Sequence, residues 1–212
     1  MRTSVPRSVV AIAAIVAAFG LASCVQQPVP VSDPALAGTF FTRHSMRGVQ
    51  DGQRKTIFRS CYLDHPDVLP AGSEAKIETY STLWIDLGID AIPCRLKSRD
   101  VRFLGGHDGI EKFLDKHFVR DRAALGLDAL SEQNRDLILS GRAAIGMTKE
   151  EVILAIGYPA QIDGGTPADE LPRDRILKSN QWTYRGTEIV FVPTSYIYQF
   201  GTDGKLVSRD PP

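Results

Sequence analysis

"GMTKEEVILAIGYP", residues Gly146 to Pro159, decides how the second half of the chain folds. Thr148 is a good N-cap, and Glu151 three residues on completes a T-x-x-E capping box. Met147 and Val152 occupy the two positions of a hydrophobic staple, which fixes the angle of chain entry. Val152, Ile153 and Ile156 form an apolar stripe that must face a core. Gly157 suits a C-terminal cap with positive φ, and Pro159 forbids continuation. About two turns are too few to be stable alone in water, so the helix must be docked on a larger unit.

At the other end, Arg2 and Arg7 supply a positive segment ahead of an apolar run from Val9 to Leu21. A membrane span needs about 20 apolar residues, so this run is too short, and residues 1–23 read as a signal peptide. The run stops at Leu21-Ala22-Ser23-Cys24, which resembles the lipobox of bacterial lipoproteins. That resemblance implies cleavage before Cys24 and a diacylglycerol on its thiol. At about 0.8 kcal/mol per buried CH₂, several acyl chains anchor a protein durably to a membrane. Residue 25 is Val rather than Asp. By resemblance to Gram-negative lipoproteins this implies an outer-membrane location, with the folded part facing the periplasm. "VQQPVPVSDPALAG" then has three prolines and no periodicity, so residues 24–38 read as an extended tether.

Basic and acidic side chains balance at 25 each. Loss of Arg2 and Arg7 with the signal peptide leaves the remainder slightly acidic, which argues against a nucleic-acid surface. If Cys24 is lipidated, Cys61 and Cys94 remain in a compartment where disulfides persist. A Cys61–Cys94 bridge would contribute about 3–4 kcal/mol in the chain-entropy picture. The alternative is two separate buried thiols.

Residues 39–104 are rich in short aromatic and β-branched segments between Gly, Pro and Asp: "GTFFTRH", "KTIFRSCYL", "EAKIETYS", "LWIDLG" and "IPCRLKS". Their imperfect alternation suits a small barrel with both faces partly covered. "DHPDVLPAGSEAKIETY" resembles the turn-then-strand cadence of small SH3-like barrels. After Gly105-Gly106 the chain changes character, and residues 105–130 read as a helical connector. Asp108 and Glu111 form its capping box, and Ile110, Phe113, Leu114 and Phe118 one apolar face. "SEQNRDLILSG" from Ser131 reads as a further helix ending at Gly141. The strands "QWTYR", "TEIVFVP" and "SYIYQF" follow, and Asp203-Gly204 marks a hairpin before a last short strand.

The order of elements from Ser131 onward resembles the SmpA/OmlA, or BamE-like, lipoprotein family. The residues that carry the resemblance are Gly146, Met147, Thr148, Val152, Gly157, Pro159, Trp182, Tyr184, Phe200, Gly204 and Lys205. It implies that residues 131–212 form an α+β domain, two helices on an antiparallel three-stranded sheet. It also implies a scaffold or accessory role in outer-membrane assembly, with an envelope protein such as the barrel-assembly machinery as partner. Three features depart from the family: the added residues 39–130, a longer sheet at "TEIVFVPTS", and the long polar loop "AQIDGGTPADELPRDRILKS".

No catalytic, cofactor-binding or metal-binding residue is assigned. The histidines His44, His65, His107 and His117 have no zinc-ligand spacing beyond the pair Cys61 and His65. There is no G-x-S-x-G and no P-loop. The aromatics are the better clue. Trp182, Tyr184, Tyr196 and Tyr198, with Arg185 beside them, are candidates for partner binding, because interfaces are enriched in Trp, Tyr and Arg. The competing reading makes them core or cross-strand pairs. The expected function is thus a lipid-anchored, non-catalytic scaffold; the alternative is a peptidoglycan or small-ligand reader using the SH3-like part.

Overall fold

The computed structural model describes residues 29–31, 34, 36–58, 63, 67–80, 84–97, 107–169, 171–186 and 195–210. The expectations for the signal peptide, for Cys24 and for Cys61 lie outside these residues. The described chain is α+β and has two hydrophobic cores, one in each of two lobes.

The first lobe contains β1 (Val29–Pro30), β2 (Phe40–Thr42), β3 (Met46–Asp51), β4 (Arg54–Phe58), β5 (Asp67–Leu69), β6 (Glu74–Tyr80), β7 (Trp84–Ile89), β8 (Ile92–Lys97), helix α1 (His107–His117) and β9 (Phe118–Val119). The strands form one sheet in the order β5-β3-β4-β8-β7-β6-β2-β9, with β1 beside β6. All neighbours are antiparallel except β4 and β8. Asp90 and Ala91, both with positive φ, make the tight β7–β8 turn, the primed geometry that suits a two-residue hairpin. The sequence reading did not anticipate β1, β3, β5 or β9. β1 and the fully buried Leu36 lie in the stretch expected to be an extended tether, because the sheet pairs and the first core claim that part of it.

This strand order requires the sheet to roll. Strands β2 and β3 stand five steps apart in it. At about 4.8 Å per step a flat sheet would separate them by about 24 Å. Only residues 43–45 join them, and that length of chain spans roughly 14 Å at most. The turn between β5 and β6 makes the same jump, and the two connections close the roll by bonding to each other. The Gly72 amide donates to the Thr42 carbonyl at 2.7 Å, the Thr42 amide to Ser73 at 3.0 Å, and Thr42 Oγ1 to Pro70 at 2.7 Å. Inside lie Phe40, Met46, Ile57, Ile85, Leu87, Ile89 and Leu96, packed with Ile110, Phe113 and Leu114 of α1. The predicted apolar face of this helix is therefore correct. Its partner is the first core, and Leu125 and Leu127 of the segment that follows join the second. On the outside of the sheet, Asp86 accepts a two-pronged bond from Arg95 (2.6 and 2.8 Å) and pairs with Arg54 at 2.8 Å. Burial opposes its charge, yet the two guanidiniums outweigh that and hold its carboxyl below the usual range.

The second lobe contains α2 (Glu132–Leu139), α3 (Lys149–Ile156), β10 (Gln161–Ile162), β11 (Thr166–Pro167), α4 (Arg173–Lys178), β12 (Gln181–Arg185), β13 (Ser195–Phe200) and β14 (Leu206–Asp210). Helix α3 is the opening stretch, and its cap is as read. The Thr148 amide donates to Glu151 Oε2 at 2.7 Å, and the Glu151 amide to Thr148 Oγ1 at 3.2 Å. Gly157 ends it at φ 76°, ψ −166°, a region open essentially to Gly alone. Val152, Ile153 and Ile156 are buried.

The sheet differs from the expectation. It has five antiparallel strands in the order β11-β10-β12-β13-β14 rather than three. The stretch expected to be a long polar loop folds instead into the β10–β11 hairpin and α4. Its turn carries positive φ at Asp163, Gly164 and Gly165, and Asp163 accepts from Ser179 Oγ at 2.6 Å. Ile162 and Ile176 bury completely, and Trp182 Nε1 donates to the Ile176 carbonyl at 3.1 Å. Residues 187–194, expected to lengthen the sheet, lie outside the described residues.

Candidate functional site

The two lobes meet where the first satisfies the helix ends of the second. A helix leaves its last carbonyls without internal partners. Here the Ser45 amide donates to the Leu154 carbonyl in the last turn of α3 at 2.9 Å. Ser45 Oγ donates to the Ile138 carbonyl of α2 at 2.6 Å. Arg47 Nη2 donates to Gly141 at 2.6 Å, just past α2, placing a cation at the negative end of the helix dipole. Gly141 itself has φ 67°, and a Cβ there would stand 3.1 Å from Val68 of the first lobe. Lys116 Nζ reaches the carbonyls of Ala168 (3.3 Å) and Asp169 (3.0 Å).

At the same junction lies a histidine pair. His44 follows Arg43 in the bend between β2 and β3 and is 1 % exposed. Its Nε2 is 2.8 Å from Nδ1 of His117, the last residue of α1. Its Nδ1 is 3.0 Å from the Ser45 carbonyl, which can only accept, so Nδ1 carries the proton. In the neutral ring Nε2 is then the acceptor, and His117 Nδ1 must donate. The Tyr158 ring, just past α3, stands perpendicular to both imidazoles, with centroids 6.5 and 6.2 Å away. Lys116 Nζ lies 5.0 Å over the same Tyr158 ring. Burial above all, helped by the charges of Arg43 and Lys116, lowers the His44 pKa to about 4, against the smaller opposing pull of its bond to Ser45. His44 is thus a neutral, desolvated imidazole at neutral pH. The sequence reading assigned no role to His44 or His117.

Beside this pair is an open groove of about 440 Å³. Phe40, Leu114, Phe118 and Val119 supply its apolar lining, and Arg43, Glu111, Asp115, Arg120 and Asp121 its charge. Strand β9, which ends the sheet order, lies along it. Arg120 stacks 3.7 Å over the Phe40 ring and donates to Ala37 at 2.6 Å. Arg43 Nη2 donates to the carbonyls of Asp115 (3.0 Å) and Phe118 (3.3 Å). Both guanidiniums therefore shape the wall of the groove.

The expected partner-binding aromatics are elsewhere, and for most of them that expectation is corrected. Trp182, Tyr184 and Tyr198 are fully or almost fully buried, and Tyr196 is half-buried against the same core. All of them share one strand parity, and that parity is the face the helices cover. Tyr184 and Tyr198 pack edge-on at 5.0 Å, and Tyr184 Oη donates to the Gly157 carbonyl at 2.9 Å. They are core residues. Arg185 is the exposed exception, at the end of β12. Cys61, the expected bridge partner of Cys94, lies outside the described residues. Cys94 itself is a buried free thiol in the first core, and burial pushes its pKa up to about 11. Its strand alternation points it inward, where it packs as a small apolar group.

Among the described residues no three His, Cys, Asp or Glu side chains gather as metal ligands, and no helix is long and apolar enough to cross a membrane. Comparison with known families, with curated proteins and with solved structures finds no match to this chain.

Proposed function

We propose that this chain is a lipid-anchored envelope protein, attached through Cys24 to the periplasmic face of an outer membrane. It acts without catalysis, as a scaffold or accessory subunit in envelope assembly. The observation that carries the reading is Leu21-Ala22-Ser23-Cys24 at the end of the Val9–Leu21 apolar run. In this reading the rolled first sheet is SH3-like, and α2, α3 and the second sheet are BamE-like. Two features support the non-catalytic role. His44, next to Ser45 in the chain, is buried and bonded to main chain and to another imidazole. The neighbouring Ser45 Oγ is already used, donating to Ile138 and accepting from the Ala71 amide at 3.0 Å. With the aromatic face buried, the groove along β9 and α1 is the surface assigned to partner contact.

One observation favours a second reading, a peptidoglycan or small-ligand reader. The groove is on the first lobe, and its volume falls in the range of small-molecule sites, about 300–1,000 Å³. Crosslinking in native membranes separates the two. Recovery of barrel-assembly components supports the scaffold, and retention on isolated sacculi supports the reader. Cys24→Ser should release the protein from membranes and abolish palmitate labelling. A variant that stays membrane-bound and labelled would refute the anchor.

A further inference from the structure

We propose, on the basis of the Cys24 anchor, that the first lobe lies against the bilayer, with the sheet end that carries Tyr80 and Trp84 at the lipid headgroups. The length of chain between anchor and fold carries this. A free tether from Cys24 to Gly38 would reach about 50 Å, at up to about 3.6 Å per residue. The fold takes most of that length back. Val29 and Pro30 pair with Tyr80 and Thr79 of β6. Val31 packs against the first core, and Leu36 is fully buried in it. The Ala37 carbonyl accepts from Arg120 Nη1 at 2.6 Å. Only residues 25–28 separate the anchoring cysteine from the sheet, and the five Cα steps from Cys24 to Val29 reach about 18 Å at most.

Register says which part of the lobe the short leash holds. β1 runs antiparallel to β6, so the anchor side of Val29 is the side on which β6 ends and β7 begins. Tyr80 is the last residue of β6 and Trp84 the first of β7. Tyr80 is half-buried with its ring against the core, and Trp84 is half-buried on the outer face it shares with Asp86. Such amphipathic rings settle at the headgroup level of a bilayer. The other end of β6 starts at Glu74, next to the Thr42–Ser73 bond that closes the roll. Six residues of strand put that end about 20 Å away. There β2 lies between Glu74 and Ala75 of β6 on one side and β9 on the other. The bend that meets the second lobe and the groove along β9 are therefore at the end away from the leash, and the groove stays open to a partner.

Energy transfer from the protein's own tryptophans to a headgroup label tests this on the full-length, acylated protein. Vesicles of phosphatidylethanolamine and phosphatidylglycerol with a trace of dansyl-phosphatidylethanolamine supply the acceptor. Trp84 at the leash end should dominate the transfer, with Trp182 in the second lobe contributing less. Inserting twelve Gly and Ser residues between Gln26 and Gln27 adds a flexible span of about 19 Å and should at least halve the transfer efficiency. Trp84→Phe, which leaves Trp182 as donor, should do the same. A smaller fall in either variant would overturn the placement. The insertion alters nothing inside the folded part, so it reads the placement even if the Trp84 substitution unfolds the lobe. Intact mass and flotation tell this failure from failure of the anchor. In a protein that carries acyl chains and floats with the vesicles, a smaller fall refutes only the placement. A protein without acyl chains that stays off the vesicles refutes the anchor and the placement with it.

Discussion

Replacing Ser45 by Ala removes one oxygen from the junction, and the structure sets what that costs. Ser45 is 2 % exposed. Its hydroxyl accepts from the Ala71 amide at 3.0 Å and donates to the Ile138 carbonyl at 2.6 Å. The two losses are unequal. The Ile138 carbonyl also accepts from the Gly141 amide at 2.9 Å, so it keeps a partner, and the lost bond is worth about 1 kcal/mol. The Ala71 amide is buried and loses its acceptor, at a cost of about 1–3 kcal/mol. Together Ser45→Ala should destabilise by about 2–4 kcal/mol, with the Ser45 amide bond to Leu154 intact. Urea unfolding followed by tryptophan fluorescence reads this directly, because Trp84 is in the first lobe and Trp182 in the second. With a slope of about 2 kcal/mol per molar, the midpoint should drop by about 1–2 M. Both tryptophans should report one transition, since the first lobe supplies the caps for α2 and α3. A loss below about 1 kcal/mol, or two separated transitions in the parent protein, would refute the view that the lobes stand or fall together.

Breaking the α3 cap with Thr148→Ala should cost about 1 kcal/mol, and Ile156→Ala, which hollows the buried stripe, about 2–4 kcal/mol. Denaturant midpoints check both, and a Thr148→Ala protein of unchanged stability but lost function would mark the helix start as a contact site. Tyr184→Phe removes the bond to Gly157 between two buried residues and should cost about 1–2 kcal/mol while leaving partner capture unaltered. Weakened crosslinking to a partner at unchanged stability would reinstate the aromatic face as a binding surface.

The sequence was legible where structure is specified within a few residues. The Thr148–Glu151 box spans one helical turn, and Gly157 needs only its own backbone angles to end α3. The parity of Trp182 and Tyr184 was readable too, but not which side of the sheet it faces. That depends on where α2 and α3 dock. The assumption that aromatics at interface-like density mark an interface failed, because a sheet covered on one face puts its largest side chains beneath the cover. Likewise "AQIDGGTPADELPRDRILKS" looks like loop because its apolar residues are sparse. Yet Ile162 and Ile176, each fully buried, are enough to dock a hairpin and a short helix.

The junction was illegible for the opposite reason. Its bonds join residues 93 and 94 positions apart, Ser45 to Ile138 and Arg47 to Gly141, and the histidine pair spans 73. None of these residues stands in a local pattern that announces a partner. "GTFFTRH" reads as one strand, and nothing in it announces that a second strand starts at Met46. What the pattern omits is that rolling the sheet turns this bend into a corner, so His44 and Ser45 project away from the first core onto the ends of α2 and α3. The corner follows from the strand order alone, because three residues must bridge strands five places apart. A roll closed by so short a bend leaves its polar groups facing outward, where they meet carbonyls at the ends of α2 and α3. The lobes are therefore joined by hydrogen bonds to the Leu154, Ile138 and Gly141 carbonyls as well as by the apolar contact of Ala71, Leu125 and Leu127 with the second core.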